Sequence, residues 1–211
     1  MKILVVGASQ GTGAESVRVA LARGHDVTAF ARTPGRLAIE HPKLTRVAGD
    51  FHDSTSVNAA VRGHDAVIVT ASSTSLRGFK KKPRYFSEGT ALVIDAMKTH
   101  GVRRLSVLSA LGTGESARLM GFFVRTLLVS FLLKLAYEDH ERQEQMVRQS
   151  GLEWIIARPG RLTDRPARGK YVKTAAIEPV PSAISRADVA DFLVASLETT
   201  TWVGQAVQLG G

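Results

Sequence analysis

The stretch Lys2-Ile3-Leu4-Val5-Val6-Gly7-Ala8-Ser9-Gln10-Gly11-Thr12-Gly13 decides the fold class of this chain. Its first part, Ile3–Val6, is a short run of β-branched residues and leucine, typical of a strand buried on both faces of a sheet. A glycine-containing turn follows, and after it Val17, Ala20 and Leu21 recur with helical spacing. Strand, turn and helix therefore follow one another at the amino end of the chain.

The same alternation continues along the chain. Further strands are predicted at Val27–Ala31, Leu44–Ala48, Ala66–Thr70, Leu105–Leu108, Trp154–Ala157 and Ala206–Leu209. Further helices are predicted from the N-cap Ser54 to Arg62, over Tyr85–His100 with Gly101 at C′, over Tyr137–Gln149, and from the N-cap Ser185 to Leu197. Alternating strands and helices form βαβ units with right-handed crossovers. We therefore predict an α/β fold, a single doubly wound parallel sheet (Rossmann fold) in one domain over residues 1–211, with a small loop-rich C-terminal substrate cap at 163–183.

Composition excludes several classes of protein. The chain has 211 residues, no cysteine and a net charge of +9. The lack of cysteine excludes disulfides, zinc ribbons and thiol nucleophiles, and no metal site is predicted. Ile3–Val6 is too short for a signal peptide, and Arg125 and Lys134 interrupt the apolar segment Leu119–Ala136, so a cytoplasmic protein is expected. The charge favours anionic partners, but no nucleic-acid-binding motif is present and no nucleic-acid partner is expected.

The glycine turn suits a diphosphate group. A dinucleotide's diphosphate needs backbone without obstructing side chains, unpaired N–H donors and the positive end of a helix dipole. The turn offers all three, and the candidate binding residues are Gly7, Ala8, Ser9, Gln10, Gly11, Thr12 and Gly13. The alternative is that these glycines serve tight packing only.

The end of the second predicted strand indicates which dinucleotide is bound. Sites selective for NAD place Asp or Glu there to hold the ribose 2′-hydroxyl. This chain has Arg32 and Thr33 instead, with Arg36 nearby. Because a guanidinium pairs with a 2′-phosphate, NADPH is the predicted cofactor. The alternative is a solvated surface arginine.

Two further loops follow strands and are candidates for cofactor contact. Asp50 could accept a hydrogen bond from an adenine amine, and Phe51 could flank the ring. Ala71 and Ser72 are small enough for the middle of the cofactor to approach closely. Both loops could equally be ordinary connections.

These residues, together with Ser150-Gly151-Leu152-Glu153-Trp154 leading into Arg158-Pro159-Gly160, resemble the atypical short-chain dehydrogenases/reductases. Within this group the NAD(P)H-binding, NmrA-like branch fits best, and the likeness covers nearly the whole chain. The stretch from Glu138-Asp139-His140 through Gly151-Leu152 is also similar to flavin reductases of the biliverdin reductase B type. The resemblance implies that Ser109 occupies the active-site serine position, and that Ser109, Ala110, Arg158, Pro159 and Gly160 contact the nicotinamide end.

Two positions depart from the family pattern. Arg161 stands where the biliverdin reductase B type has histidine, so substrate handling need not transfer. Gly11 lies one place later than the second glycine of this branch's usual G-x-x-G-x-x-G turn.

The chain lacks the Tyr-x-x-x-Lys pair that supplies the acid in typical short-chain dehydrogenases. Tyr85, Tyr137 and Tyr171 are followed at that spacing by Gly89, Glu141 and Ala175. Alcohol–ketone interconversion is therefore disfavoured, and hydride transfer to a planar electron-poor acceptor (a flavin, quinone or tetrapyrrole-like molecule) is predicted. Ser109 could donate a hydrogen bond there, and His140 could relay a proton or be an ordinary surface-helix residue.

Other functions stay open from sequence. An NmrA-like regulator could sense NADP(H) without turnover, and a reductase could be held at a membrane surface. Six basic residues could attract an anionic small-molecule substrate: Arg158, Arg161, Arg165, Arg168, Lys170 and Lys173. A second basic cluster contains Arg77, Lys80, Lys81, Lys82 and Arg84. Segment 119–136 could be core, pocket wall, dimer face or membrane contact, and the sequence does not indicate the oligomeric state.

Overall fold

Strands and helices alternate in the computed structural model, which describes residues 1–71, 84–119 and 131–211. The strands are β1 (Lys2–Val6), β2 (Asp26–Ala31), β3 (Leu44–Ala48), β4 (Ala66–Val69), β5 (Arg104–Leu108), β6 (Glu153–Pro159), β7 (Arg161–Thr163), β8 (Val172–Thr174), β9 (Ala183–Ser185) and β10 (Gln205–Gly210). The helices of the described residues are α1 (Gly11–Ala22), α2 (Ser54–Val61), α3 (Tyr85–Thr99), α4 (Phe131–Gln149) and α5 (Arg186–Glu198). Short 3₁₀ turns cover Pro34–Arg36 and Gly114–Leu119.

Eight strands form one sheet in the order β3-β2-β1-β4-β5-β6-β10-β8. All neighbours are parallel except β8, which pairs antiparallel with β10. The chain fills the sheet outward from β1 in one direction and from β4 in the other, so the connections after these two strands diverge. A crevice opens where they part, which is where ligands bind in open α/β sheets. The predicted Rossmann fold is confirmed.

Alternate side chains of β1 enter two different cores. Ile3 and Val5 pack with residues of α1 and α5 on one face of the sheet, whereas Leu4 and Val6 pack with α2 and α3 on the other. All four are buried. Because both faces are covered by helices, the strand is apolar at every position rather than at alternate ones.

The helix ends differ in places from the prediction. Ser185 caps α5 as predicted, accepting from the Asp188 N–H, but the N-cap of α2 is Asp53 and not Ser54. The Asp53 carboxylate accepts from two backbone N–H groups of the first turn, which the shorter Ser54 hydroxyl cannot do. The helix predicted from Tyr137 begins at Phe131, so the last six residues of the segment 119–136 belong to it. Residues 120–130 of that segment lie outside the described residues, and no helix within the described ranges is both long and apolar enough to span a membrane.

The C-terminal cap contains more regular structure than predicted. Residues 161–163 of β7 pair in parallel with 183–185 of β9, so the excursion begins and ends at one place. Its middle contributes β8 to the edge of the main sheet. The Asp188 carboxylate anchors the intervening loop by accepting from the N–H groups of Arg168 and Gly169 and from the Ser185 hydroxyl. These strands have only three residues each, too few to show a period in sequence.

Replacement of Gly7 by alanine tests how closely the turn approaches the sheet. Gly7 has φ +87°, and a Cβ there would lie 2.6 Å from the Ala71 Cα. We expect Gly7→Ala to lower the free energy of unfolding by about 2–4 kcal/mol, through backbone strain and overpacking together. Gly24→Ala is the matched control, because Gly24 has φ +83° but nothing within 4 Å, so strain alone should cost about 1 kcal/mol. Equal losses in urea unfolding would contradict the close-approach argument.

Candidate functional site

The glycine turn presses against the end of β4. Gly7 leaves no side chain to meet Ala71, and a Cβ on Gly13 would lie 2.7 Å from the Thr70 hydroxyl and closer still to the Gly7 carbonyl. Both glycines therefore have a packing role. Packing does not explain the whole turn, because it leaves the start of α1 exposed to the crevice.

The first turn of α1 has unused hydrogen-bonding capacity. The N-cap Gln10 makes no side-chain bond to the turn, and no acidic residue lies in it. The first N–H groups of a helix have no intrahelical acceptor, and the helix dipole makes this end positive. Thr12 is 5% exposed, and its hydroxyl has no hydrogen-bond partner among the described residues. A buried hydroxyl without a partner at a helix N-terminus fits an anion that completes the site.

A cleft of about 100 Å³ begins at this turn. Nine predicted cofactor residues line it: Gly7, Ser9, Gln10, Arg32, Thr33, Arg36, Asp50, Phe51 and Ala71. The tertiary structure thus brings together residues that follow four different strands. Ala8, Thr12 and Gly13 lie buried in the turn, and Ser72 lies outside the described residues.

Arg32 and Arg36 supply positive charge to the cleft. Both are exposed, and neither has a carboxylate within ion-pairing distance in the described part of the chain. Tyr85, which the sequence reasoning did not assign to the cofactor site, lines the same cleft. Burial raises the pKa of its phenol, and the nearby Arg32 acts in the opposite direction. Tyr85 is the first residue of α3, and no local sequence pattern placed it beside Arg32.

Asp50 and Phe51 differ in how far their side chains are packed into the surrounding structure. An oxygen of the Asp50 carboxylate accepts from the His52 N–H at 2.9 Å, which orients the group at the cleft. Phe51 is buried, and its ring lies against the backbone of Gly89, where a side chain would collide with it. A contact of Phe51 with an adenine ring stays a prediction. The side chain that would make this contact is already part of the core.

The predicted active-site Ser109 belongs to a buried polar network. Its hydroxyl donates to the Glu144 Oε1 at 2.6 Å, and Glu144 is 3% exposed on α4. The Arg158 guanidinium donates to both carboxylate oxygens of Glu144, at 3.0 and 2.5 Å. It also donates to Glu115 at 2.7 Å. Since the Ser109 proton points to Glu144, its lone pairs are the part of the hydroxyl left for another partner, contrary to the expectation that Ser109 donates to substrate.

The position of Arg158 contradicts the expectation that its side chain attracts an anionic substrate. Arg158 is 1% exposed and fully engaged with the two carboxylates, so its side chain is not available to attract an anionic substrate. Burial alone would lower the pKa of Arg158, but the bonds to Glu144 and Glu115 outweigh this effect and raise it. The same contact with Arg158 lowers the pKa of Glu115. A buried guanidinium with these partners is a structural cation.

The remaining predicted contacts of the nicotinamide end lie beside this network. The Pro159 carbonyl accepts from the Leu111 N–H, which joins the end of β6 to the residues after β5. The Ala110 carbonyl accepts from the Thr113 N–H within a local turn. Gly160 packs against the Ser182 carbonyl, which a Cβ would approach to 2.7 Å. Cofactor contact by these residues stays a prediction.

His140 lies one helical turn before Glu144. Its ring stacks on Phe86 with centroids 3.9 Å apart, and its Nδ1 bonds the Gln143 Oε1 at 2.9 Å. The Gln143 amide donates its N–H to Thr90, so its oxygen faces the histidine and accepts from Nδ1–H. Burial lowers the pKa of His140, which favours a neutral ring with Nε2 as the acceptor. Proton relay by His140 stays a prediction.

Comparison with known proteins agrees with this geometry. Residues 7–200 match the model of a family described as NAD(P)H-binding. The uncharacterized sugar epimerase YhfK of Bacillus subtilis (strain 168) is 28% identical over 212 residues, covering 99% of this chain and 94% of that protein. A 3-beta-hydroxysteroid dehydrogenase of Mycolicibacterium neoaurum is 39% identical over 111 residues, 49% of this chain, and the match spans only 30% of its length.

Solved structures share the fold. A short-chain dehydrogenase/reductase from Veillonella parvula in complex with NADP superposes with a TM-score of 0.83 at 18% identity, covering 100% of this chain and 94% of that one. ChuY, an anaerobilin reductase from Escherichia coli O157:H7, superposes with a TM-score of 0.81 at 24% identity, covering 100% and 97%.

The lowered pKa of His140 predicts a pH-dependent stability. A histidine whose folded pKa lies below its unfolded value of about 6.5 binds fewer protons folded than unfolded, so its contribution to stability falls as pH drops below about 6.5. His140→Phe keeps the stack on Phe86 but cannot titrate. We expect the unfolding free energy of the wild type, relative to this variant, to decrease from pH 8 to pH 5 in denaturant titrations. A difference that stays constant across this range would contradict a neutral His140.

Proposed function

This chain belongs to the NAD(P)H-binding family, and within it we propose an NADPH-dependent oxidoreductase that transfers a hydride to a planar, electron-poor acceptor such as a flavin, a quinone or a tetrapyrrole-like molecule. The family match confirms the resemblance seen in the sequence. The observation that carries the proposal is the shared cleft of Arg32, Arg36 and the glycine turn.

The preference for NADPH rests on charge. A 2′-phosphate brings about two negative charges at neutral pH to the end of β2, where Asp or Glu would repel it. Arg32 and Arg36 face the cleft, and no carboxylate of the described residues neutralises them. Bidentate guanidinium–phosphate bonds are among the stronger hydrogen bonds in proteins.

The residues at the turn fit a dinucleotide. The open first turn of α1 and the Thr12 hydroxyl would hold the diphosphate, and Gly7 keeps the backbone near it bare. Asp50 and Tyr85 border the place of the adenine. The bound dinucleotide supplies the hydride.

The protein's own work at the reacting end is orientation. Glu144, held by Arg158, directs the Ser109 proton inward, so the Ser109 oxygen is the atom that would accept a hydrogen bond from a bound molecule. The Ser109 oxygen, fixed as a hydrogen-bond acceptor, can position a carboxamide or an N–H group of the molecule that receives the hydride. It does so without becoming charged. An electron-poor acceptor spreads the incoming charge and takes its proton from water, so this site needs no strong acid.

The acceptor class rests on what the chain lacks in sequence. Without a Tyr-x-x-x-Lys pair, reduction of a ketone has no evident proton donor. The fold shared with an anaerobilin reductase is a reason to test that compound, and the likeness to a hydroxysteroid dehydrogenase is a reason to test a steroid alcohol.

Steady-state oxidation of NADPH tests the proposed function. The panel contains FMN, FAD, a quinone, biliverdin and anaerobilin, with a 3β-hydroxysteroid plus NADP⁺ as the alcohol arm. We expect turnover with at least one planar acceptor and none with the steroid. Tight NADPH binding without oxidation across the panel would favour an NmrA-like sensor, and absence of nucleotide binding would overturn the proposal.

Replacement of Arg32 tests the coenzyme preference. We expect Arg32→Gln to weaken NADPH binding about 10-fold to 100-fold in calorimetry, because a charge-assisted bond contributes about 1.5–3 kcal/mol, and to leave NADH binding nearly unchanged. Arg62→Gln, an exposed arginine at the end of α2, is the matched control. Equal weakening of both coenzymes would show that Arg32 does not recognise the 2′-phosphate.

Replacement of Ser109 tests its role in turnover. We expect Ser109→Ala to lower kcat about tenfold or more while changing the Kd for NADPH less than threefold, because positioning of the acceptor is lost and the turn is untouched. Ser106→Ala is the matched control, since Ser106 is a buried serine of β5, the strand that Ser109 follows, and it bonds Ser196. Parallel losses of affinity and turnover would contradict this role.

A further inference from the structure

Arg186, the first residue of α5, lies against the start of α1. Its Nε would be 3.4 Å from a Cβ placed on Gly11, the first residue of α1. Gly11 has φ +57°, so it is both conformationally special and free of a side chain that would separate Arg186 from the turn. The sequence reasoning did not single out Arg186.

A guanidinium at this place is electrostatically unfavourable in isolation. Helix N-termini carry partial positive charge, and Arg186 lies at the first residue of α5 and beside that of α1. The first turn of α1 contains no acidic residue that would compensate. An anion bound at the start of α1 would turn this repulsion into attraction.

Arg186 forms an ion pair with Asp164, and this pair is weak. Arg186 Nη1 donates to the Asp164 Oδ1 at 2.7 Å, but the Asp164 side chain is 89% exposed. Exposed ion pairs contribute little to stability because water solvates both charges well. Asp164 therefore competes poorly with an anion at the turn.

The other carboxylates near Arg186 are bonded to other partners. Asp188 is buried and accepts from the loop at 168–169, and Asp191 accepts from Arg23 and the Tyr171 hydroxyl. Glu15 pairs with Arg18 on the surface of α1. Glu15, Asp188 and Asp191 line, together with Arg186, a cavity of about 740 Å³ between α1, α5 and the loop at 164–169, which gives the Arg186 side chain room to move.

From these observations we propose that Arg186 is a diphosphate-binding residue, which exchanges Asp164 for the diphosphate of the dinucleotide. The inference rests on the proposed function, because it requires a dinucleotide at the turn. Glycine suits residue 11 in this arrangement, because the φ of +57° there favours glycine and a Cβ would contact the guanidinium, 3.4 Å from its Nε.

Calorimetric dissociation constants for NADP⁺ and NAD⁺ test this assignment. We expect Arg186→Gln to weaken both nucleotides about tenfold, because the diphosphate is common to them, whereas Arg32→Gln should affect NADP⁺ alone. Arg18→Gln is the matched control: it removes the same charge from the same cavity and should change either constant less than twofold. Thermal unfolding of each variant checks that it is folded.

Asp164→Asn gives an independent reading if Arg186→Gln does not fold. Removing the competing carboxylate should strengthen binding of both nucleotides about twofold to threefold, and this gain should disappear in the Arg186→Gln, Asp164→Asn double variant. Unchanged or weaker binding by Asp164→Asn, or wild-type affinity in Arg186→Gln, would overturn the role of Arg186. Failure of the wild type to bind either nucleotide would instead overturn the proposed function.

Discussion

The contact on which the site depends is the approach of the turn after β1 to the end of β4. Gly7 and Ala71 come so close that no side chain fits between them. This approach is possible because the two strands are neighbours in the sheet while their connections leave in opposite directions. The crevice that results exposes the start of α1 and gathers residues from the ends of β2 and β3. The cleft proposed for the coenzyme is therefore a consequence of strand order and of the close approach at Gly7.

Two kinds of arginine occur around this crevice, and burial separates them. Arg32 and Arg36 are exposed and lack carboxylate partners within the described ranges, so their charge is available to a ligand. Arg158 is buried and neutralised by Glu144 and Glu115, so its charge has a structural role and is not available to a ligand. Removing one member of a buried pair leaves the other charge uncompensated, whereas an exposed pair can separate at little cost. Arg186, paired with an exposed aspartate, belongs with the ligand-available group.

The Ser109 network shows how a side chain can be directed by residues remote in sequence. Glu144 and Arg158 come from α4 and β6, and together they set which way the Ser109 hydroxyl points. A serine with its proton committed inward is an acceptor, which suits orientation of a bound molecule more than donation of a proton. This is consistent with a reaction in which the molecule that receives the hydride needs little help from an acid of the protein.

The pattern of apolar runs and glycines by itself determined the order of the main strands and helices, the Rossmann class and the place of the glycine turn, because burial on both faces and bare backbone leave local traces in sequence. It also placed Arg32 at the end of β2, since a position at a strand end is a local property. Only the tertiary structure decided that Arg158 is a buried partner of Glu144, that Tyr85 lines the cleft, and that Arg186 lies against Gly11. The short strands of the cap and the Asp53 N-cap were likewise missed or misplaced. These features depend on contacts between residues far apart in the chain or on a choice between adjacent polar groups, and no local periodicity records them.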